Sequence, residues 1–409
     1  MTDLSTELER FLTSRQLTAL RRSADVAEHY GVSLYLVGGS VRDLLLGIRP
    51  VDLDLVGVGI RPSFASALAR ALDGRVIAQS QFGTSRVETA KVRMDLAMAR
   101  REIYPEPGAL PRVSPAEGIG DDLERRDFSI NAMALELSKS RWASLVDPLN
   151  GEDDLRRKKV RVLHRESFQN DATRIFRAVR YAVRMGFTLE ATTEKSLLNN
   201  LSFVDTLSGD RVSKELDAMF LEGRALSVVR HADKLGLLDA VVPGLKMPSV
   251  TVGTLPKGDA RISRLWALLA WSMLPIPGVA RVKERLRLDK TTSRVLNDVG
   301  SIKKQLSELQ VTNISPSELY NMLSGLEPES VKAAAIACGD PEVSQLFEHY
   351  LLELRSMKSI LTGDDLLSLG VSRGPGIGEM LQKLLNARLD AMLETREDEE
   401  RFVRRQLRL

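Results

Sequence analysis

The sequence predicts an α+β protein in which a small mixed β-sheet near the N-terminus precedes a mostly helical remainder. Runs of strand-forming residues are concentrated in the first hundred positions, and amphipathic helical patterns dominate after Asp127. Aromatic residues are only 5% of the composition, so leucine, valine, alanine and isoleucine must fill the core, which favours helices. A chain of 409 residues is long enough for several domains at roughly 100–200 residues each.

Helices and strands alternate in the first region. Residues 5–30 have the apolar spacing of one amphipathic helix, and residues 33–37 form an apolar run of strand-forming residues. After two glycines, Ser40 is predicted to cap a short helix that ends before Gly47. A further helix is predicted at 62–73, with strands at 52–57, 75–79, 84–90 and 92–98.

Residues 102–123 differ in composition from their surroundings. They contain four prolines and three glycines, which predict a long loop, and loops of such length inside a compact region are usually functional or disordered. Prolines and glycines at 243–258 indicate a boundary, which gives three predicted domains, at 1–150, 151–245 and 246–409. Helices are predicted near 127–138, 166–185, 191–202, 210–222 and 225–237.

Composition excludes several classes of protein. Cys338 is the one cysteine, which rules out an internal disulfide framework and a cysteine-based zinc cluster. The N-terminal residues lack the apolar core of a signal peptide, and no apolar run reaches the roughly 18 residues of a membrane span. We therefore expect a cytoplasmic protein without a membrane partner. The net charge of +3 neither requires nor excludes a nucleic-acid partner.

The first candidate for chemistry is the glycine turn Gly38-Gly39-Ser40, between a predicted strand and a predicted helix. Glycine lets the backbone approach a ligand closely, and the free N–H groups of a helix N-terminus attract phosphates. Arg42 could add a charged contact to a triphosphate. An ordinary tight turn is the alternative interpretation.

Asp52 and Asp54 form the second candidate. Side chains at positions i and i+2 of a strand project to the same face, where two carboxylates repel each other unless a cation neutralises them. Two Mg²⁺ ions about 3.5–4 Å apart can activate an attacking hydroxyl and stabilise a leaving pyrophosphate. Asp95, on a later predicted strand, could supply a third catalytic carboxylate. The alternative is that the two aspartates of the pair simply face solvent.

Together, these two candidates resemble a known motif. Residues 36–43 (LVGGSVRD), followed by Asp52-Leu53-Asp54, closely resemble the first motif of the class II tRNA nucleotidyltransferases and bacterial poly(A) polymerases. These enzymes belong to the nucleotidyltransferase superfamily related to DNA polymerase β. The resemblance implies a polymerase β-like head with a helical neck, body and tail, in which Asp52 and Asp54 bind Mg²⁺.

A second segment, residues 125–132 (RRDFSINA), resembles the motif that contacts the ribose in this family. Arg126 and Asp127 can hydrogen-bond the 2′ and 3′ hydroxyls and so favour a ribonucleotide. Asn131 completes the nucleotide-binding residues expected from this segment.

Three more segments follow in the order of the family. Residues 147–151 (DPLNG) resemble its hinge-like third motif, with Glu152 in place of a second glycine. Residues 171–181 (DATRIFRAVRY) resemble the fourth motif. Arg211 and Glu215 stand where the fifth motif is expected.

In the family, the residues that correspond to Asp171 and Arg174 read the incoming base in place of a template. They are three positions apart, so they are expected to share a helix face. Asp accepts from the exocyclic amino group of cytosine or adenine and Arg donates beside it, so the pair should select CTP and ATP. Asn170 replaces the usual Glu, which helps to hold the arginine. A surface salt bridge is the alternative interpretation of this pair.

Arg177 and Arg180 lie one and two turns beyond Arg174 on the same predicted helix. They are expected to contact the triphosphate or the RNA end, and a solvated helix face is the alternative. Basic residues at 281–294 and 401–408 could follow the phosphates of a tRNA, or could equally be solvated helix faces.

The resemblance implies an enzyme that uses Mg²⁺, CTP and ATP to add CCA to the 3′ end of tRNA. Addition of A alone is the runner-up. The loop at 102–123 argues against an enzyme that adds only CC, and the basic signature of bacterial poly(A) polymerases is missing between the first two motifs. One further alternative is a non-catalytic RNA-binding protein on the same fold, although the aspartate pair is retained. Another is a small-molecule nucleotidyltransferase, which would need the same aspartate pair but neither the Asp–Arg pair nor the long helical arm.

Overall fold

A computed structural model describes residues 2–79, 84–273, 277–308 and 314–407. It confirms the predicted α+β class, with a seven-stranded mixed sheet in the N-terminal part and helices in most of the remainder. The chain divides into two compact units, Met1–Arg211 with Glu222–Ala240 and Val212–Leu221 with Val241–Leu409. The three-domain division stays a prediction.

The seven-stranded sheet has the strand order β3-β4-β5-β2-β1-β8-β9. Strands β2 and β5 run parallel, and the other neighbouring pairs run antiparallel. Strands β6 and β7 form a separate hairpin, and β10 pairs with β11. The strands are β1 Ser33–Val37, β2 Leu53–Val58, β3 Arg75–Gln79, β4 Thr84–Glu88, β5 Arg93–Met98, β6 Arg100–Ile103, β7 Arg112–Pro115, β8 Ala134–Glu136, β9 Ser144–Val146, β10 Lys159–Val160 and β11 Thr188–Leu189.

Helices of both units vary from single turns to five turns. Among those described, none combines the length and the apolar character that crossing a bilayer requires. The helices are α1 Ser5–Phe11, α2 Ser14–Tyr30, α3 Gly39–Leu45, α4 Phe64–Ala71, α5 Ile119–Glu124, α6 Gly151–Arg156, α7 Ser167–Asn170, α8 Thr173–Met185, α9 Ala191–Asn199, α10 Gly209–Phe220, α11 Ala225–Lys234, α12 Leu237–Val241, α13 Asp259–Ser272, α14 Pro277–Arg285, α15 Lys290–Glu308, α16 Pro316–Leu323, α17 Pro328–Ala337, α18 Pro341–Leu352, α19 Gly363–Ser368, α20 Pro375–Leu389 and α21 Arg396–Gln406.

Alternation of apolar and polar residues explains the central strands. In β2, Leu53 and Leu55 are 0% and 1% exposed, and in the adjacent β1 Leu36 is fully buried. Side chains of a strand alternate between its two faces. Asp54, between the two buried leucines, therefore projects from the opposite face of the sheet, which is the arrangement that the sequence pattern predicts.

The predicted single helix over residues 5–30 is wrong, because the structure has α1 and α2 there. Thr13 separates them and caps α2: its hydroxyl accepts from the Gln16 backbone N–H, and the Gln16 side chain accepts from the Thr13 backbone N–H. This reciprocal pair satisfies two backbone donors that would otherwise have no partner. The break is therefore caused by a local capping sequence, which the spacing of the apolar residues does not reveal.

The predicted helix at 127–138 is also wrong. A short 3-10 turn at Ser129–Asn131 is followed by β8, which pairs with the central strand β1. Met133, Ala134 and Leu135 are all fully buried. Alanine, methionine and leucine favour helices, but here pairing with β1 and burial on both faces outweigh that local preference.

Two further expectations change. Residues 102–123 are not one long loop, because the β6–β7 hairpin and α5 lie within or across them. The predicted helix at 166–185 is two helices, α7 and α8, with Asp171 and Ala172 between them. In the second case the interruption falls directly at a predicted site residue.

The second unit is built from packed helices. Helix α13 packs against α15 and α17, and α17 packs against α18. A separate buried cluster that includes Leu366 and Leu384 lies within the C-terminal segment formed by α19, α20 and α21. Of the two basic clusters, residues 281–294 lie in and between α14 and α15, and residues 401–406 lie in α21. Arg408 lies outside the described residues.

Gly151, in the segment that resembles the third motif, offers a test of packing in the first unit. A Cβ added there would lie 2.2 Å from the Ser129 carbonyl oxygen and 2.8 Å from Cγ of Met133. We expect Gly151→Ala to lower the free energy of unfolding by about 1–3 kcal/mol through overpacking, measured by urea denaturation. Gly223→Ala, where a Cβ meets open space, is the matched control. Equal stability of both variants would contradict the prediction.

Candidate active site

A cavity of about 420 Å³ lies in the first unit. Its lining brings together ten of the predicted site residues from four separate sequence segments and adds five others. The predicted lining residues are Gly38, Gly39, Arg42, Asp54, Arg126, Asp127, Asn131, Asp171, Arg174 and Arg177, and the additional ones are Glu102, Tyr104, Arg125, Thr173 and Tyr181. The structure places these ten predicted residues around one cavity. The role of each residue stays a prediction.

The glycine turn forms one end of this lining. Gly38 is the N-cap of α3 and has a φ of 66°, a left-handed conformation that favours glycine. A Cβ at this position would lie 2.6 Å from Nη1 of Arg126, so this guanidinium would have to shift to admit a side chain there. The neighbouring Arg42 is buried, and its Nη1 donates to Oδ1 of Asn131 over 2.6 Å.

Ser40 was expected to cap α3, and this expectation is wrong because Gly38 is the cap. The Ser40 hydroxyl instead donates to the Asp52 carbonyl oxygen and accepts from the Asp54 N–H, both over 3.1 Å. Ser40 does not line the cavity. Its side chain ties the start of α3 to the strand that carries the aspartate pair, which positions Asp54 relative to the glycine turn.

Three aspartates were predicted for catalysis, and the sheet places two of them side by side. Asp54 on β2 and Asp95 on β5 are register partners in the parallel pair. Asp52 precedes β2 and is exposed. Burial raises the pKa of Asp54, and the negative charges of Asp95 and Asp52 raise it further, while Arg126 opposes the shift. The site therefore concentrates negative charge around a half-buried carboxyl.

Arg86 partly neutralises this charge. It is the register partner of Asp95 across β4 and β5, and it donates to both carboxylate oxygens, over 2.6 and 2.8 Å. Within the described parts of the chain, no three His, Cys, Asp or Glu side chains are grouped so as to hold a metal ion. Asp52 and Asp54 nevertheless fit a divalent cation, because carboxylate oxygens are the ligands that Mg²⁺ prefers and because a cation would relieve the repulsion at Asp54.

The segment at 125–132 contributes a buried polar group. Asp127 accepts from Arg177 over 2.5 Å and from the Asn131 side chain over 3.0 Å. Burial alone would raise the pKa of Asp127, but Arg177 and Asn131 outweigh it and hold that pKa below its ordinary value. The carboxylate is therefore kept charged beside the cavity, in the state that accepts hydrogen bonds.

Asp171 and Arg174 do not share a helix face, contrary to the sequence-based expectation. Asp171 ends α7 with an extended backbone, at φ −145°, and Arg174 belongs to the first turn of α8. Nor do they form a surface salt bridge with each other: Arg174 is 4% exposed and donates to Oγ of Ser167 and to the Arg125 carbonyl oxygen, over 2.7 and 2.8 Å. Both side chains still line the same cavity.

Asp171 is held by other partners. Arg211, from the segment that resembles the fifth motif, donates to Oδ1 of Asp171 over 2.8 Å. The same oxygen accepts from the backbone N–H and the hydroxyl of Thr173. A second guanidinium nitrogen of Arg211 donates to the Gly108 carbonyl oxygen over 3.1 Å. Arg211 therefore joins Asp171 to the turn between β6 and β7.

The predicted Arg180 lies outside the lining of the cavity and pairs with Glu222 over 3.4 Å. Tyr181 does line the cavity, and its ring lies 5.3–5.5 Å from the guanidinium carbons of Arg42, Arg177 and Arg180. Tyr181 was not predicted as a site residue. Its position four residues after Arg177 on a helix was the available signal, because residues at that spacing are neighbours on one face.

The hairpin contributes two more cavity residues that sequence reasoning did not assign to the site. The Tyr104 hydroxyl donates to Oε2 of Glu102 over 3.0 Å, and burial together with the Glu102 charge raises the pKa of Tyr104 to about 12. Oε1 of Glu102 also accepts from Arg100 and Arg125. The proline-rich composition of this segment concealed them, because it indicated a loop without fixed side-chain positions.

Comparison with known proteins gives a consistent result. The family described as Poly A polymerase head domain matches residues 34–161, and the family described as Probable RNA and SrmB- binding site of polymerase A matches residues 186–247. The A-adding tRNA nucleotidyltransferase of Geobacter sulfurreducens is 32% identical over 97% of this chain. This chain spans about half of that relative, 48% of its length.

Two further similarities extend over nearly whole chains. The A-adding tRNA nucleotidyltransferase of Halalkalibacterium halodurans is 31% identical, over 96% of this chain and 93% of the relative. The solved structure of the Thermotoga maritima CCA-adding enzyme complexed with tRNA matches with a TM-score of 0.80 and 26% identity, over 99% of both chains. This chain therefore belongs to the family of tRNA nucleotidyltransferases and poly(A) polymerases.

Proposed function

We propose that this chain is a template-independent enzyme that transfers nucleotides from CTP and ATP to the 3′ end of tRNA. The observation that carries the proposal is the composition of one cavity, which is bordered by the glycine turn, by Asp54, and by both Asp171 and Arg174. A helix N-terminus suits phosphates, a strand carboxylate suits a divalent cation, and an Asp–Arg combination suits a base edge. A nucleoside triphosphate that binds together with a divalent cation brings phosphates, the cation and a base edge to the cavity.

Asp52 and Asp54 are the proposed ligands of Mg²⁺, which when bound would stabilise negative charge on the triphosphate and activate the attacking hydroxyl. Arg42 and Arg126 border the glycine turn and would bind phosphate or ribose oxygens. Asp95 remains the proposed third catalytic carboxylate. The ion pair with Arg86 occupies one acceptor site on each Asp95 oxygen, so Asp95 would contact a metal through the lone pairs that remain.

Base selection is the proposed role of Asp171 and Arg174. The Asp171 carboxylate would accept from the amino group of adenine or cytosine, and Arg174 would donate to the adjacent ring nitrogen or carbonyl. Guanine and uracil present the opposite pattern of donors and acceptors. Because Asp171 and Arg174 already have fixed protein partners, both side chains are held in place before a nucleotide binds. This preorganisation reduces the entropic cost of recognition.

The reaction most strongly supported is addition of AMP to tRNA that already ends in CC. The names of the A-adding and CCA-adding relatives both include addition of A. Complete CCA addition is the specificity predicted from the sequence, and the fold similarity to a CCA-adding enzyme supports it. Addition of A alone is the second candidate. It is favoured by two relatives of that name with 31–32% identity over nearly the whole chain.

An incorporation assay separates these candidates. The protein is incubated with Mg²⁺, labelled ATP or CTP, and tRNA that lacks CCA, that ends in CC, or that is complete. We expect AMP on tRNA ending in CC and no incorporation into complete tRNA. Given AMP addition to tRNA ending in CC, addition of C to tRNA lacking CCA selects the CCA-adding candidate, and its absence selects the A-adding one. Addition of C without any addition of A would instead indicate a CC-adding enzyme. Long adenosine tracts, or no incorporation at all, would overturn the proposal.

Asp54→Asn tests the proposed metal-binding carboxylate. The substitution keeps the side-chain volume but removes a negative charge, so we expect the transfer rate with either nucleotide to fall on the order of 10²–10³-fold or more. Asp25→Asn, at an exposed position that pairs with Lys139, is the control and should keep the wild-type rate. Circular dichroism checks that both variants fold. Wild-type turnover by Asp54→Asn would refute the assignment.

Arg174→Ala tests base reading. Loss of a buried donor to the base should lower the preference for ATP over GTP by roughly tenfold or more, measured as the ratio of kcat/KM values with tRNA ending in CC. Arg184→Ala on the same helix is the matched control, because the Arg184 side chain is 48% exposed and does not line the cavity. Unchanged nucleotide preference in Arg174→Ala would show that the base is read by other residues.

A further inference from the structure

Arg174 is held by uncharged oxygens. Its Nη1 donates to Oγ of Ser167 over 2.7 Å, and its Nη2 donates to the Arg125 carbonyl oxygen over 2.8 Å. Ser167 is fully buried. A hydrogen bond from a charged donor is stronger than a neutral one, and burial strengthens it further because water does not compete. These two oxygens therefore fix the direction of the guanidinium.

Ser167 also contacts the other proposed base reader. Its carbonyl oxygen accepts from the Asp171 backbone N–H over 3.2 Å. Ser167 is the first residue of α7, and the next residue, Phe168, is fully buried and anchors this short helix. One buried serine therefore contacts the side chain of Arg174 and the backbone of Asp171.

Asn170 does not provide this support. It lines a second cavity of about 490 Å³, which Arg174 also borders. Within the described residues, the guanidinium of Arg174 donates to Ser167 and Arg125, and not to Asn170. The family resemblance places a glutamate at position 170 that helps to hold the arginine. In this chain the side-chain acceptor for Arg174 is the uncharged hydroxyl of Ser167, three positions before Asn170.

We propose that Ser167 is a specificity-determining positioning residue, whose hydroxyl holds Arg174 in the orientation that reads the base. This inference rests on the proposed function, because it assigns Ser167 to the base-reading end of the same cavity. Loss of the Ser167 hydroxyl leaves a buried guanidinium N–H without an acceptor, so Arg174 must turn toward another oxygen. The affected property is the choice of base, whereas phosphate binding at the glycine turn is preserved.

Two nearly isosteric variants provide the test. Ser167→Ala removes the acceptor, and Ser167→Cys replaces it with a slightly larger thiol, whose sulfur is a weak acceptor. For each, affinities for ATP and GTP are measured by calorimetry without tRNA, and kcat/KM for both nucleotides with tRNA ending in CC. We expect the preference for ATP over GTP to fall about tenfold in both variants. Ser23→Ala is the matched control, because the Ser23 hydroxyl is fully buried and donates to the Ala19 carbonyl oxygen in α2.

The outcomes separate the two proposals. If the wild type transfers nucleotides to tRNA and a folded Ser167→Ala or Ser167→Cys keeps the wild-type preference, the role of Ser167 is overturned and the proposed function stands. An equal loss of preference in Ser23→Ala would also overturn it, because the effect would then be structural. If the wild type transfers nothing to any tRNA, the proposed function fails, and the calorimetric preference still decides whether Ser167 positions Arg174.

Discussion

The candidate site depends on the ion pairs that the buried carboxylate of Asp122 forms with two arginines. This carboxylate is fully buried and accepts from Arg125 over 2.6 Å and from Arg126 over 2.9 Å. A buried charge is costly unless it is paired and hydrogen-bonded, and the Asp122 carboxylate meets that requirement with two guanidinium groups. Asp122 in this way fixes two arginines that line the cavity.

These two arginines contact different groups of site residues. Arg126 approaches the glycine turn so closely that a Cβ at position 38 would lie 2.6 Å from its Nη1. Arg125 supplies the carbonyl oxygen that holds Arg174, and its side chain donates to Glu102 of the hairpin. A single buried carboxylate therefore links the residues proposed for phosphate or ribose binding to those proposed for base reading, without itself lining the cavity.

The cavity lining carries charges of both signs. Arg42 and Arg126 border the glycine turn, whereas Asp54 of β2 and its register partner Asp95 of β5 concentrate negative charge on one face of the sheet. In the proposed function, the phosphates of a nucleoside triphosphate complement the first group and a divalent cation complements the second. Arg211 adds a mechanical link, because it binds Asp171 and the Gly108 carbonyl oxygen at once, so the β6–β7 turn and a proposed base reader cannot move independently without breaking a hydrogen bond.

The amino-acid sequence by itself determined the features that depend on near neighbours along the chain. Leucines that alternate with Asp54 specify a strand with its carboxylate on one face, and the two glycines at the start of α3 specify the turn. Only the tertiary structure decided that residues 134–136 form a strand, because pairing with β1 overrides their helical preference. It also decided that Arg174 is held by the carbonyl oxygen of Arg125, 49 positions away, because local patterns carry no information about such distant contacts.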